Sequence, residues 1–293
     1  MKKLLFSRKN EQRHWVGDGF PVRSIFTYND LAKEISPFLL MDYAGPATFP
    51  PTNERKGVGE HPHRGFETVT IVYSGEVEHR DSAGGGGLIG PGDVQWMTAA
   101  SGLVHEEFHG PEFAKRGGNF EMVQLWVNLP RKDKMSKPRY QGLKDANIPA
   151  VALPDGAGTL RVIAGNYQDA KGPGMTFTPI NLWDLNLKAG HKVTLKVPAG
   201  HTATAFVLSG KIEVGTEAIG EAALAVFERD GDELTFKVLE DTKLLFMGGE
   251  PIEEPIVGYG PFVMNSIGEI KQAFIDFEEG RMGSFGSISG SEN

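Results

Sequence analysis

Short blocks of Val, Ile, Thr and aromatic residues, many alternating with polar positions, recur at Glu67 to Val77, Asp93 to Met97, Met122 to Leu129, Thr159 to Ala164, Lys192 to Val197, Thr204 to Val214 and Leu234 to Leu239. The pattern predicts strands, and the Gly, Pro and Asp residues between the blocks predict turns. Many short strands so spaced indicate an all-β sandwich or barrel. The clearest helical pattern comes late. Ser266 to Glu269 reads as a capping box, Ile267, Ile270, Phe274 and Phe277 follow at helical spacing, and Gly280 supplies a stop. A helix is predicted over about residues 266–279, with its apolar stripe against a barrel.

An internal repeat organises the strands. Ile71 to Glu78 (IVYSGEVE) aligns with Phe206 to Glu213 (FVLSGKIE), and Gly92-Asp93 aligns at nearly the same offset with Gly231-Asp232. At those offsets His61 and His63 correspond to Lys196 and Pro198, and His105 and Glu107 to Leu244 and Phe246. The polar, Pro-containing stretch from Pro130 to Gly158 separates the copies. The expected organisation is a first barrel over residues 1–135, a second over 136–282 that includes the late helix, and a Gly/Ser-rich mobile tail over 283–293.

Composition narrows the chemistry. The 293 residues carry a net charge of −8, which gives no broad electrostatic reason to expect nucleic acid as a partner. There is no cysteine, so a disulfide framework, a thiolate zinc site and a catalytic thiol are excluded. The N-terminus (MKKLLFSRK) lacks an apolar stretch long enough for a signal peptide, and no spanning segment follows. The expected location is cytoplasmic, or nucleocytoplasmic in a eukaryote, with no membrane contact.

Two short motifs stand out against this background, His61-Pro62-His63 and His105-Glu106-Glu107. In a strand, residues i and i+2 face one way. His61 with His63, and His105 with Glu107, can therefore bring three imidazoles and a carboxylate around one point, with Glu106 turned outward. That is a mononuclear metal site, and only the first copy of the repeat can hold it. Three imidazoles and one carboxylate suit Fe(II), and Mn, Co, Ni, Cu or Zn would also bind.

The blocks at His61 to Thr68 (HPHRGFET) and Gly92 to Ala99 (GDVQWMTA) resemble signatures of the pirin family. Gln124 to Pro130 (QLWVNLP), Gly248 to Pro251 (GGEP) and Gly260 to Asn265 (GPFVMN) extend the resemblance, which spans Val22 to Phe277. It implies a bicupin, two face-to-face jelly-roll β-barrels with a metal in the first and a degenerate second. The family's ligand pattern falls on His61, His63, His105 and Glu107, usually around Fe(II). Some pirins resemble quercetin 2,3-dioxygenases, which open a flavonol ring with O2 and release carbon monoxide. The implied partners are then O2 and a small aromatic, flavonol-like substrate. Glu107 is the candidate base as well as a ligand, and Phe66, Trp96 and Met97 are expected to line the pocket. Eukaryotic pirins act as transcriptional co-regulators, so the resemblance also admits an iron-dependent redox-sensing module that meets a protein partner.

The remaining features receive plainer readings. Glu67 fits a ligand spacing common in cupins, but pirins take the carboxylate from the second motif, so Glu67 is expected behind the ligands or in strand pairing. His109 has the parity of Glu107, yet Gly110-Pro111 follows it and a loop position is expected. His14, His79, His191 and His201 stand alone and are read as ordinary core or surface histidines. Gly84 to Gly87 lacks the Gly-Lys-Ser/Thr of a phosphate loop and is read as a hairpin connection. No Gly-x-Ser-x-Gly elbow supports a serine hydrolase.

Overall fold

A computed structural model describes residues 1–285, so most of the expected tail, residues 286–293, lies outside the described residues. Every predicted strand block forms a strand. The run from Glu67 breaks earlier than expected, because Gly75 adopts φ +87° between the strands Phe66–Ser74 and Val77–Asp81. Its repeat partner Gly210 has φ +86°, and a Cβ there would lie 2.3 Å from the Asp241 carbonyl oxygen. Both Ser-Gly pairs thus need a residue free to enter the left-handed region.

The chain forms two jelly-roll units of like design. In the first, a seven-stranded sheet has the order Arg139–Leu143, Val94–Thr98, Phe66–Ser74, Gly118–Asn128, Phe38–Phe49, Phe20–Phe26, His14–Val16. A four-stranded sheet, Gly57–His63, Leu103–His109, Val77–Asp81, Gly86–Ile89, faces it. In the second unit a nine-stranded sheet runs Leu4–Lys9, Ala223–Phe227, Thr202–Val214, Glu233–Gly249, Ile180–Leu187, Gly158–Ala164, Ala150–Ala152, with Lys192–Lys196 and Glu217–Gly220 branching from it. Matching these orders places Phe66–Ser74 on Thr202–Val214, as the repeat predicts.

The second half of the predicted alignment is corrected. Gly92-Asp93 precedes Val94–Thr98, whereas Gly231-Asp232 precedes Glu233–Gly249, which along the chain follows Ala223–Phe227, the counterpart of Val94–Thr98. Leu244 and Phe246 are therefore not the counterparts of His105 and Glu107. The segment that pairs with Lys192–Lys196, as Leu103–His109 pairs with Gly57–His63, contains Leu234 and Phe236. Both are buried, and neither can ligate a metal.

Alternation sets what each face of the large first sheet touches. Val69, Ile71, Val94 and Trp96 point towards the second unit and join Leu182, Phe206, Leu208, Leu245 and Met247 in one core between the halves. Burying a side chain of this size stabilises the fold by about 1.5–3 kcal/mol. The opposite face of the same strands, with Thr70 and Gln95, lines the interior of the first unit. Val72, Phe113, Phe120 and Met122 close that interior at one end.

The chain ends are exchanged. Leu4–Lys9 pairs with Ala223–Phe227 of the second unit, and Arg139–Leu143 pairs with Val94–Thr98 of the first. The helix Ile267–Glu278 rests on the first unit, where Ile270, Ala273 and Phe274 contact a cluster with Val104, Phe262 and Met264. The expected division at residues 135 and 136 is thus crossed by pairing and packing from both sides. The capping box forms, with the Glu269 amide donating to Ser266 Oγ at 3.3 Å. The apolar stripe is narrower than expected. Ile267 is 67% exposed and Phe277 38%, because only the arc through Ile270, Ala273 and Phe274 reaches the barrel. No helix among the described residues is long and apolar enough to cross a membrane.

Candidate metal centre

Strand register assembles the histidines. His105 lies opposite His61 and Leu103 opposite His63 in an antiparallel pair. Between His105 and Glu107 the pairing shifts, so that Glu107 meets Val58, and the Gly57–His63 strand carries an extra residue. The rings of His61 and His105 stand 4.2 Å apart by centroid, those of His63 and His105 4.8 Å, and those of His61 and His63 4.9 Å. One ligating atom of each lies within 4.8 Å of the others, a group that could hold a metal ion.

Each imidazole is oriented through its Nδ1. His61 Nδ1 lies 2.7 Å from the Gly59 carbonyl, His63 Nδ1 3.3 Å from the Pro261 carbonyl, and His105 Nδ1 3.3 Å from His79 Nδ1. A carbonyl only accepts, so His61 and His63 donate from Nδ1 and carry their lone pairs on Nε2. His105 Nε2 is buried and has no hydrogen-bond partner. An orphaned ring nitrogen among two other imidazoles fits a metal ligand. Burial pushes His63 and His105 well below the usual histidine range, and the nearby His61 adds to the shift.

Glu107 is buried on the same strand as His105, but it groups with His105 and His79 rather than with all three imidazoles of the first cluster. Its Oε1 accepts from Gln95 Nε2 at 3.2 Å and its Oε2 from Gln124 Nε2 at 3.4 Å, and Thr70 Oγ1 stands 3.3 Å from Oε1. Thr70 Oγ1 also lies 2.5 Å from Gln124 Oε1, which holds that amide in place. Glu106 points away from the histidines, as expected, and is covered by Arg80 at 2.6 Å and Arg55 at 3.1 Å.

Of the other placements, Phe66, Met97 and Glu67 fit the expectation, while Trp96 and His109 depart from it. Phe66 borders the site, stacked on Trp126 at 4.2 Å and edge-on to His63 at 5.2 Å. Met97 packs with Leu103 and Tyr140. Trp96 faces the core between the two units instead, because alternation puts it opposite Met97 and Gln95. Glu67 likewise sits on that far face, accepting from Thr98 Oγ1 at 2.7 Å, and burial pushes its carboxyl up to about 7. His109 is not in a loop. It ends the Leu103–His109 strand, donates to the Gly19 carbonyl at 2.9 Å and packs against Phe20, Phe49, Phe113 and Phe120.

His79 is the main residue the sequence reading missed. It is buried against His105, its Nε2 is 3.3 Å from Asp81 Oδ2, and Tyr140 stacks on its ring at 5.3 Å. The signal was present, since His79 and Asp81 repeat the i, i+2 spacing of His61 and His63. His14, His191 and His201 join neither histidine group. Gly84 and Gly85 turn the Val77–Asp81 and Gly86–Ile89 hairpin, as expected. Two clefts of about 710 and 740 Å³ open on the second unit around Asn166, Asn181 and Pro198 and contain none of the clustered histidines. Donor chemistry, not cleft size, marks the first unit as the site.

The comparisons agree with this architecture. Residues 19–127 match the pirin family model, and residues 182–283 match the pirin C-terminal cupin domain. The chain belongs to the pirin family. Among its relatives, a Pseudomonas aeruginosa protein named "Putative quercetin 2,3-dioxygenase" is 61% identical, with 96% of this chain and 98% of that protein covered. Mouse pirin is 37% identical over 86% of this chain and 84% of its own length. A crystal structure of quercetin 2,3-dioxygenase from Acinetobacter baumannii superposes with a TM-score of 0.94 at 55% identity, covering 97% of this chain and 99% of that one. The pirin assignment covers both units, and within it the histidine cluster falls in the first.

Proposed function

We propose that this pirin is a metal-dependent dioxygenase that opens the central ring of a flavonol-like substrate with O2 and releases carbon monoxide. The observation that carries the reading is the histidine cluster, with each Nδ1 engaged and His105 Nε2 buried without a partner. His61, His63 and His105 would hold the metal, with Glu107 as the fourth ligand and Fe(II) as the expected ion. Mn, Co, Ni, Cu and Zn suit the same nitrogen and oxygen donors. The names of the Pseudomonas and Acinetobacter relatives support the substrate class. The bound ion supplies Lewis acidity, which lowers the pKa of the flavonol 3-hydroxyl.

The protein's own groups do the rest. Glu107 takes the 3-hydroxyl proton, and Gln95 and Gln124 hold its two oxygens for that transfer, with Thr70 fixing the Gln124 amide. The stacked pair Phe66 and Trp126 offers a flat apolar wall beside His63, suited to an aromatic ring system.

The test is quercetin consumption with carbon monoxide detection, using protein loaded anaerobically with Fe(II) and then exposed to O2, against His63→Ala. Rapid metal-dependent loss with carbon monoxide is expected. No turnover at full metal occupancy would reject the flavonol reading and leave a redox-sensing binding module or a different small-molecule substrate.

A further inference from the structure

We infer that Asp81 and His79 are positioning residues that lock His105 as its Nδ1–H tautomer and so keep the Nε2 lone pair directed at the cluster. The inference rests on the proposed metal role of His105. Its core, the proton arrangement, belongs to the metal-free protein and can be read there.

Asp81 sets the order of protons along the three side chains. The strands pair so that Asp81 lies opposite His105 and His79 opposite Glu107. Asp81 Oδ1 accepts from the backbone amides of Ala83 and Gly85, each at 2.9 Å, which leaves Oδ2 facing His79 Nε2 at 3.3 Å. A carboxylate is only an acceptor, so the His79 proton sits on Nε2. The other His79 nitrogen, Nδ1, then carries a lone pair and must accept. Its partner is His105 Nδ1 at 3.3 Å, which therefore holds the His105 proton. Nε2 of His105 is left with its lone pair, in the place where it is buried and unpartnered.

The reverse arrangement would set lone pair against lone pair between His79 Nε2 and Asp81, both inside the protein. Tyr140 stacks on His79 with an interplanar angle of 15° and fixes the ring plane. Second-layer partners of metal-ligating histidines commonly set the tautomer, though usually by direct contact. Here the carboxylate works through an intervening imidazole.

The experiment is long-range proton–nitrogen correlation of the imidazoles in 15N-labelled, metal-free protein, followed by Co(II) titration. Wild type is expected to show His105 protonated at Nδ1 and His79 at Nε2. In Asp81→Asn the amides of Ala83 and Gly85 still require Oδ1, so the side-chain NH2 turns to His79. Both rings then exchange tautomers, and Co(II) binding weakens by about 10- to 100-fold. His79→Asn retains an acceptor oxygen near the Nδ1 position and should hold Co(II) affinity within about tenfold of wild type. Wild-type His105 protonated at Nε2 overturns the inference, whether or not either variant folds. So does Asp81→Asn with unchanged tautomers and affinity. Complete loss of Co(II) in a folded His79→Asn would make His79 a ligand beside His105 and Glu107. A wild type that binds no Co(II) yet shows the expected tautomers would sink the metal reading alone.

Discussion

Between its two sheets the first unit encloses imidazoles, a carboxylate and the amides of Gln95 and Gln124, while the second encloses Trp183, Leu185, Leu195, Ala205, Leu234, Phe236 and Phe246. The seven-strand order of the first unit's large sheet matches the main path of the second unit's sheet, so the contrast lies more in contents than in scaffold. Filling the second interior with apolar side chains, including the stacked pair Trp183 and Phe246 at 4.7 Å, gives packing where the first has donors and acceptors. Keeping polar groups in the first calls for partners, which explains why the amides of Gln95 and Gln124 both donate to Glu107. His105 Nε2 and Thr68 Oγ1 are among the buried atoms left without a partner, and of these only the imidazole nitrogen sits in a cluster of histidines with the chemistry of a metal ligand.

The contrast can be broken most directly at the histidines. His105→Ala, or His63→Ala, is expected to abolish stoichiometric metal while the chain stays folded, since most of the apolar core lies elsewhere. Full metal occupancy by elemental analysis in either variant would remove the site assignment. Phe246→Ala should do the opposite. It should cost about 3–5 kcal/mol in denaturant unfolding and leave metal content unchanged. Loss of metal in that variant would mean that the second unit shapes the site.

Glu107→Gln is a subtler change, with partial metal retention expected and turnover reduced by about 100-fold or more. Turnover equal to wild type would rule out the base role. The smallest effect is expected at Glu67, which belongs to neither interior but to the core between the units. Burial raises its carboxyl to about 7, so the folded protein binds its proton more tightly than the unfolded chain does. Its contribution is fully present below the unfolded carboxyl pKa, falls as pH rises towards 7 and is lost above it. Glu67→Gln should flatten that decline and add about 2 kcal/mol at pH 8. An unchanged pH profile of stability would show that Arg139, at 3.7 Å, already offsets the burial.

Much of this was legible in the sequence because strand parity is a strong rule. The two i, i+2 motifs pointed to the histidine cluster, and the block composition gave the all-β architecture. Parity without register was insufficient elsewhere. Trp96 and Met97 are neighbours on one strand, and only the location of Gln95 over Glu107 tells which of them faces the site. The Gly92 and Gly231 match failed because Gly-Asp turns recur between strands, so a short match can lock onto the wrong one. His79 was passed over because its partner, His105, is 26 residues away and only the pairing of Val77–Asp81 with Leu103–His109 brings them together.

The crossed ends have a consequence for the whole molecule. Lys134 Nζ joins the Gly65 and Val263 carbonyls, Arg64 meets Asp276 at 2.7 Å, and Leu4–Lys9 is stitched to Ala223–Phe227. Each unit therefore borrows its finishing piece from the other end of the polypeptide, like two links closed through one another. Cutting the chain at its middle would free neither link intact, since one would lose its edge strand and the other its covering helix. Whatever chemistry the first unit performs, the second cannot be removed without unpicking an edge of both.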